Sequence, residues 1–158
     1  MKNIKFKLED IKLLRSEVRD HPVVFSENFD LEDIQIEFDF KFNYSDNFLQ
    51  NFMHFNFEID VNEKLVSLGH FDIIFTFKVD DLQGLLTDEE AKKILHLNII
   101  SLAYSTSRGI LFSESKGFTI NEIYLNPISP ISLYEEHIKE MSENQNLSIT
   151  SDNHDHDS

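Results

Sequence analysis

The chain lacks cysteine and tryptophan, has only four glycines and three prolines, and sets 14 basic residues against 29 acidic ones. Without thiols there is no disulfide framework, thiolate metal site or cysteine nucleophile, a composition that suits a reducing cytoplasm. Glycine-rich phosphate loops, nucleophile elbows and the HExxH zinc motif are all missing, so neither an enzyme nor a cofactor is expected. No stretch approaches the roughly 18 apolar residues that a membrane-spanning helix needs. The opening segment is broken by Lys5, Lys7, Glu9 and Asp10 where a signal peptide would be apolar. A soluble, cytoplasmic protein without membrane insertion is therefore expected. The formal charge of −15 repels phosphate backbones, which argues against nucleic acid as a partner and keeps the chain dispersed.

Fifteen phenylalanines stand out against these absences. Many fall on alternate positions: Ile34, Ile36, Phe38, Phe40, Phe42 and Tyr44 are separated by Gln35, Glu37, Asp39, Lys41 and Asn43. Period-two alternation puts the apolar side chains on one face of a strand and the polar ones on the other. After a turn-prone Ser45-Asp46-Asn47 the pattern resumes as Met53, Phe55, Phe57, Ile59, Val61, and after Asn62-Glu63-Lys64 as Phe71, Ile73, Phe75, Phe77, Val79. Phe6 and Leu8 share one parity and Ile11 and Leu13 the other, as in a bulged edge strand, with a short helix over 8–18 as the competing reading. The short connections imply an antiparallel meander.

Thr87 followed by Glu90 has capping-box spacing and predicts a helix to about Ser107. Between 97 and 104 it is apolar nearly all round, more than one sheet of a small chain covers, so Leu97, Ile100, Leu102 and Tyr104 are candidates for an oligomer contact. Residues 110–130 read as an extended crossover, and Ile131, Leu133, Tyr134, Ile138 and Met141 as a short amphipathic helix. The fold class is thus α+β: a four-stranded antiparallel meander with one long apolar helix and a short C-terminal helix on one face. One domain spans residues 1–141, and the acidic, histidine-bearing residues 142–158 have too little to bury and are expected to be disordered.

Chemistry-bearing clusters are sparse. His54, His70, Asp60 and Asp72 fall on the polar side of neighbouring strands, within possible reach of one ion. The alternation already demands a solvated face there, so no metal is expected. The terminal Asp152-Asn153-His154-Asp155-His156-Asp157 run offers weak ligands at most, and Ser101, Ser105 and Ser107 near His96 lack a carboxylate to orient the imidazole.

The order Tyr104-Ser-Thr-Ser-Arg108, Lys116-Gly117-Phe118, Leu125-Asn126-Pro127-Ile128 and Leu133-Tyr134 resembles the SecB export chaperone and its SecB-like relatives. Departures are the Ser-Thr-Ser-Arg-Gly segment, where the export form usually has Ala-Arg-Glu, and the missing proline at Thr119. The resemblance implies an ATP-independent holdase, a homotetramer built as a dimer of dimers, that binds unfolded or nascent polypeptide in apolar grooves. Matching groove positions are Phe40, Phe42, Phe55, Phe57, Phe118, Ile120, Tyr124, Leu125 and Leu133. Glu37, Asp39, Glu58, Asp60 and Asp72 match an acidic face that docks the SecA motor. Divergent relatives instead serve toxin–antitoxin systems, with an antitoxin as client. A carrier of a small apolar ligand is the alternative outside this family.

Overall fold

The computed structural model describes residues 3–123, 125 and 129–151, the last of these with side chains to residue 144. Four strands, β1 (Phe6–Val18), β2 (Ile34–Ser45), β3 (Phe48–Val61) and β4 (Lys64–Val79), precede a short helix α1 (Leu82–Leu86), a long helix α2 (Glu89–Glu114) and a last helix α3 (Pro130–Ser151). The chain separates into two compact units, Met1–Asn126 and Pro127–Ser158. Among the described residues no helix is long and apolar enough to cross a membrane.

The sheet is antiparallel throughout, in the order β1-β4-β3-β2. Only β2, β3 and β4 form a meander. β1 lies beside β4 instead of beside β2, a departure from the four-strand meander of the sequence pattern. Two-residue turns set the register of both hairpins: Ser45 pairs with Phe48 and Val61 with Lys64. Asn62 and Glu63 both take positive φ (53° and 64°), the conformation that matches the right-handed twist of a tight hairpin. β1 carries two register shifts, at Leu8/Asp10 and Leu13/Arg15, so the parity change in the sequence is indeed a bulged edge strand.

One face of the sheet forms the core. Leu49, Met53, Phe55, Phe71, Ile73, Phe75 and Phe77 are all essentially inaccessible. They meet a stripe of α2 made of Ala91, Leu95, Ile99, Ile100, Ala103, Tyr104, Ser107 and Leu111, spaced three and four apart as one helical face requires. The helix starts one residue later than the capping-box spacing suggests. Thr87 Oγ1 donates to Gly84 O at 2.9 Å and so closes α1, which leaves Asp88 to accept from Ala91 N at 3.1 Å. It also ends later, because Gly109 is carried as an interior residue: the flanking Ser107 and Leu111 are buried, and their packing outweighs the roughly 1 kcal/mol that a helical glycine costs.

The segment after α2 is therefore shorter and less extended than residues 110–130 suggest. Gly117 turns the chain with a φ of 90°, and Thr119–Glu122 forms a 3-10 turn. In the second unit, α3 runs past Met141 to Ser151. The remainder of the expected tail, residues 152–158, lies outside the described residues, as do Tyr124, Asn126, Pro127 and Ile128.

Candidate functional site

The C-terminal turns of α2, the segment with the 3-10 turn, and Phe57 of β3 with Phe71 of β4 line a pocket of about 270 Å³. Its apolar walls are Phe57, Phe71, Leu111, Phe112, Ile120, Ile123 and Leu125, with Arg108 and Asn121 as its main polar groups. Phe57 and Phe71 meet edge to face, 6.1 Å between ring centroids, and form a rigid wall. Asn121 Nδ2 donates to Phe112 O (2.7 Å) and Ser115 Oγ (3.1 Å), which ties the 3-10 turn to the last carbonyls of α2. Thr119 N donates to Asp20 Oδ1 (3.0 Å), and Ser16 Oγ to Glu114 Oε2 (2.9 Å), so both sides of the rim are held by the β1 end. Phe112 is 58% exposed although it lines an apolar cavity.

Of the expected groove residues, Phe57, Ile120 and Leu125 come together in this pocket. Phe40 and Phe55 are core side chains, 5% and 0% exposed, because α2 covers their part of the sheet. Phe42 stacks on the buried His96 ring at 4.2 Å, and Tyr44 Oη lies 2.8 Å from His96 Nε2, so this histidine packs within an aromatic cluster. Phe118 is exposed and outside the pocket lining; Tyr124 is not among the described residues. Leu133 lies half-buried on α3. Arg108, Leu111 and Phe112 were hidden from sequence reading by the glycine between them. The i, i+4 step from Ser107 to Leu111 is the signal that extends the helix to them.

The expected oligomer residues divide in the same way. Ile100 and Tyr104 belong to the chain's own core, whereas Leu102 is exposed beside Asn98, Ser101 and Ser105, and Leu97 is half-buried. Tyr104 packs on Phe38 and Phe55, and burial pushes its hydroxyl above its ordinary pKa, with Arg108 opposing the shift.

Glu37, Asp39, Glu58, Asp60 and Asp72 all stand on the outer side of the sheet. Asp39 Oδ1 accepts from Phe40 N, Glu58 Oε1 from Asn56 Nδ2, and Asp60 Oδ1 from Glu63 N in the hairpin turn.

No family model and no curated protein sequence matches the chain. Among solved structures, it is similar to the Mycobacterium tuberculosis Rv1957 SecB-like chaperone in complex with a ChAD peptide from the Rv1956 HigA1 antitoxin. The TM-score is 0.52 at 16% identity, covering 78% of this chain and 90% of that one. The fold is SecB-like. At that identity the likeness rests on backbone arrangement, so the α+β class and the four-stranded antiparallel sheet with its long helix are what the two chains share. In this SecB-like fold the apolar pocket lies on the helix-bearing face of the sheet and the carboxylates on the other.

Proposed function

We propose that this chain is an ATP-independent holdase that binds non-native polypeptide, with the pocket at the end of α2 as a docking point for apolar client side chains. The observation that carries the reading is the exposed Phe112 on the rim of a cavity walled by Phe57, Phe71, Leu111 and Ile120. Each unit also exposes further apolar side chains of its own: Ile11 and Leu13 on β1, each 38% exposed, in the first, and Ile131, Ile138 and Met141 on α3 in the second. Several separate apolar contacts along an extended segment give avidity with little sequence stringency. A cavity of about 270 Å³ falls just below the range of roughly 300–1,000 Å³ typical of small-molecule sites, which favours a side chain over a free ligand.

The similar chaperone was solved with an antitoxin peptide, and a dedicated antitoxin client is the narrower form of this proposal. Unfolded or nascent chains at large, delivered to a SecA motor by the acidic outer face, are the broader form. Assembly as a homotetramer in the cytoplasm belongs to the same reading, with Leu97 and Leu102 on the outward side of α2 as contacts. Light scattering tests the activity. A chemically unfolded client diluted into nucleotide-free buffer aggregates less in the presence of a stoichiometric amount of the full chain, and unchanged scattering removes the proposal. The native mass, measured in solution, tests the assembly: a monomer rejects it.

A further inference from the structure

The outer face of the sheet holds a second cluster with a different chemistry. His54 and Asp72 are direct partners across β3 and β4, and His70 sits two pairs further on, on the same face, opposite Asn56. Asp72 spans both imidazoles: its Oδ1 lies 2.7 Å from His54 Nδ1, and its Oδ2 lies 3.3 Å from His70 Nε2. The two rings stand edge to face with centroids 4.6 Å apart. One donor atom from each of the three side chains falls within 4.8 Å of the others. Ligands of a tetrahedral ion with bonds of about 2.0–2.2 Å are separated by about 3.2–3.6 Å, so modest side-chain rotation closes this set around a cation.

Arg15 Nη1 lies 3.4 Å from His70 Nε2 but makes its closer pair with Glu17 at 2.8 Å, so the guanidinium can leave the imidazole nitrogen to a cation.

The sheet register places further negative charge around the cluster. Across the four strands one row reads Arg15, Asp72, His54, Asp39, and the next reads Glu17, His70, Asn56, Glu37. These two rows hold four carboxylates and one guanidinium, that of Arg15; Arg19 also reaches Glu17 at 3.7 Å, and the adjoining outward row carries Lys12 and Lys41. The side chains of His54 and Asp72 are 34% exposed and that of His70 18%, which leaves an ion a path in and leaves room for water. Two imidazoles with one carboxylate suit zinc-class ions, whereas magnesium and calcium prefer all-oxygen sites.

We propose that His54, His70 and Asp72 form a binding site for a divalent transition-metal ion of the zinc class, with water completing the coordination. Bound there, the ion bridges the two central strands on the face away from α2.

Calorimetric titration of Zn²⁺ into the full chain carrying His154→Asn and His156→Asn tests this without the terminal imidazoles. One ion per chain is expected to bind. Adding His54→Asn, His70→Asn or Asp72→Asn weakens binding by more than tenfold, since even outer-shell partners of metal ligands are typically worth about 10–100-fold. Arg15→Ala leaves it unchanged or tightens it. Far-UV circular dichroism checks that each variant is folded, and Zn²⁺ raises the melting temperature of the parent but not of the ligand variants. Absence of binding at millimolar Zn²⁺, or binding indifferent to both His54→Asn and His70→Asn, overturns the proposal.

Discussion

A Cβ built on Gly69 would lie 2.5 Å from Ile120 Cδ1, so the pocket wall formed by Ile120 closes onto β4 only because residue 69 has no side chain. Phe71 and Phe57 crowd the same point at 3.2 and 3.4 Å. Gly69→Ala is expected to push the isoleucine away, with an overpacking cost of about 1–3 kcal/mol. Ile120→Val removes the colliding methyl. The double variant is then less destabilised than the sum of the two single ones, by about 0.5 kcal/mol or more, the coupling expected of residues in contact. Urea unfolding of the four proteins measures this, and additive effects would show that Ile120 does not rest on Gly69.

The β3–β4 turn carries strain that glycine relieves. Glu63 has a φ of 64°, a left-handed conformation that costs an ordinary side chain about 1–2 kcal/mol. Its backbone N–H is used by Asp60 and its position is exposed, so its side chain can be removed without opening the core. Glu63→Gly is expected to raise stability by about 0.5–1 kcal/mol, the conformational gain being partly offset by the freer unfolded chain. A lower unfolding midpoint would show that the glutamate side chain contributes more than its strain.

Where one face of the sheet is solvated, the sequence displays it, and residues 34–44, 53–61 and 71–79 are legible for that reason. The first halves of β3 and β4 are not. Asn51 is polar but fully buried on the core side, while Phe52 is apolar on the other side, so the alternation reverses where β3 begins. In β4 a register shift opposite Phe57/Glu58 interrupts the pattern near Leu68. The neighbour of β1 is a long-range choice that local periodicity does not carry. Of the pocket, Phe57, Ile120 and Leu125 were legible as apolar positions, but their convergence depends on the last two turns of α2, which Gly109 obscures. The His54, His70 and Asp72 cluster needed the hairpin register as well as the strand parity.

Tyr104 links the core to alkaline stability. Burial against Phe38 and Phe55 raises its pKa above the ordinary 10.0, although Arg108 opposes this. Above about pH 10 the unfolded chain releases the phenolic proton while the folded chain still holds it. The stabilisation is thus fully present below that pH and is lost as pH rises through the folded-state value. Tyr104→Phe is expected to lose less stability than the parent between pH 9 and pH 11, as followed by thermal melts. Parallel pH profiles would show that the tyrosine ionises no differently in the folded state.

Leu111 and Phe112 are adjacent on α2 and both line the pocket, yet one is 5% exposed and the other 58%. They should separate folding from binding. Leu111→Ala removes a core side chain and is expected to cost about 2–5 kcal/mol of stability. Phe112→Ser removes mostly exposed surface and is expected to change stability by no more than about 0.5 kcal/mol. If a client covers Phe112, the same change removes about 1–2 kcal/mol of binding, or roughly five- to thirtyfold in affinity, since full burial of such a ring is worth about 1.5–3 kcal/mol. Fluorescence titration with an unfolded, labelled client measures the binding, and urea unfolding measures the stability. Unchanged affinity in Phe112→Ser would place the client away from the pocket rim. A stability loss equal to that of Leu111→Ala would make the phenylalanine part of the core.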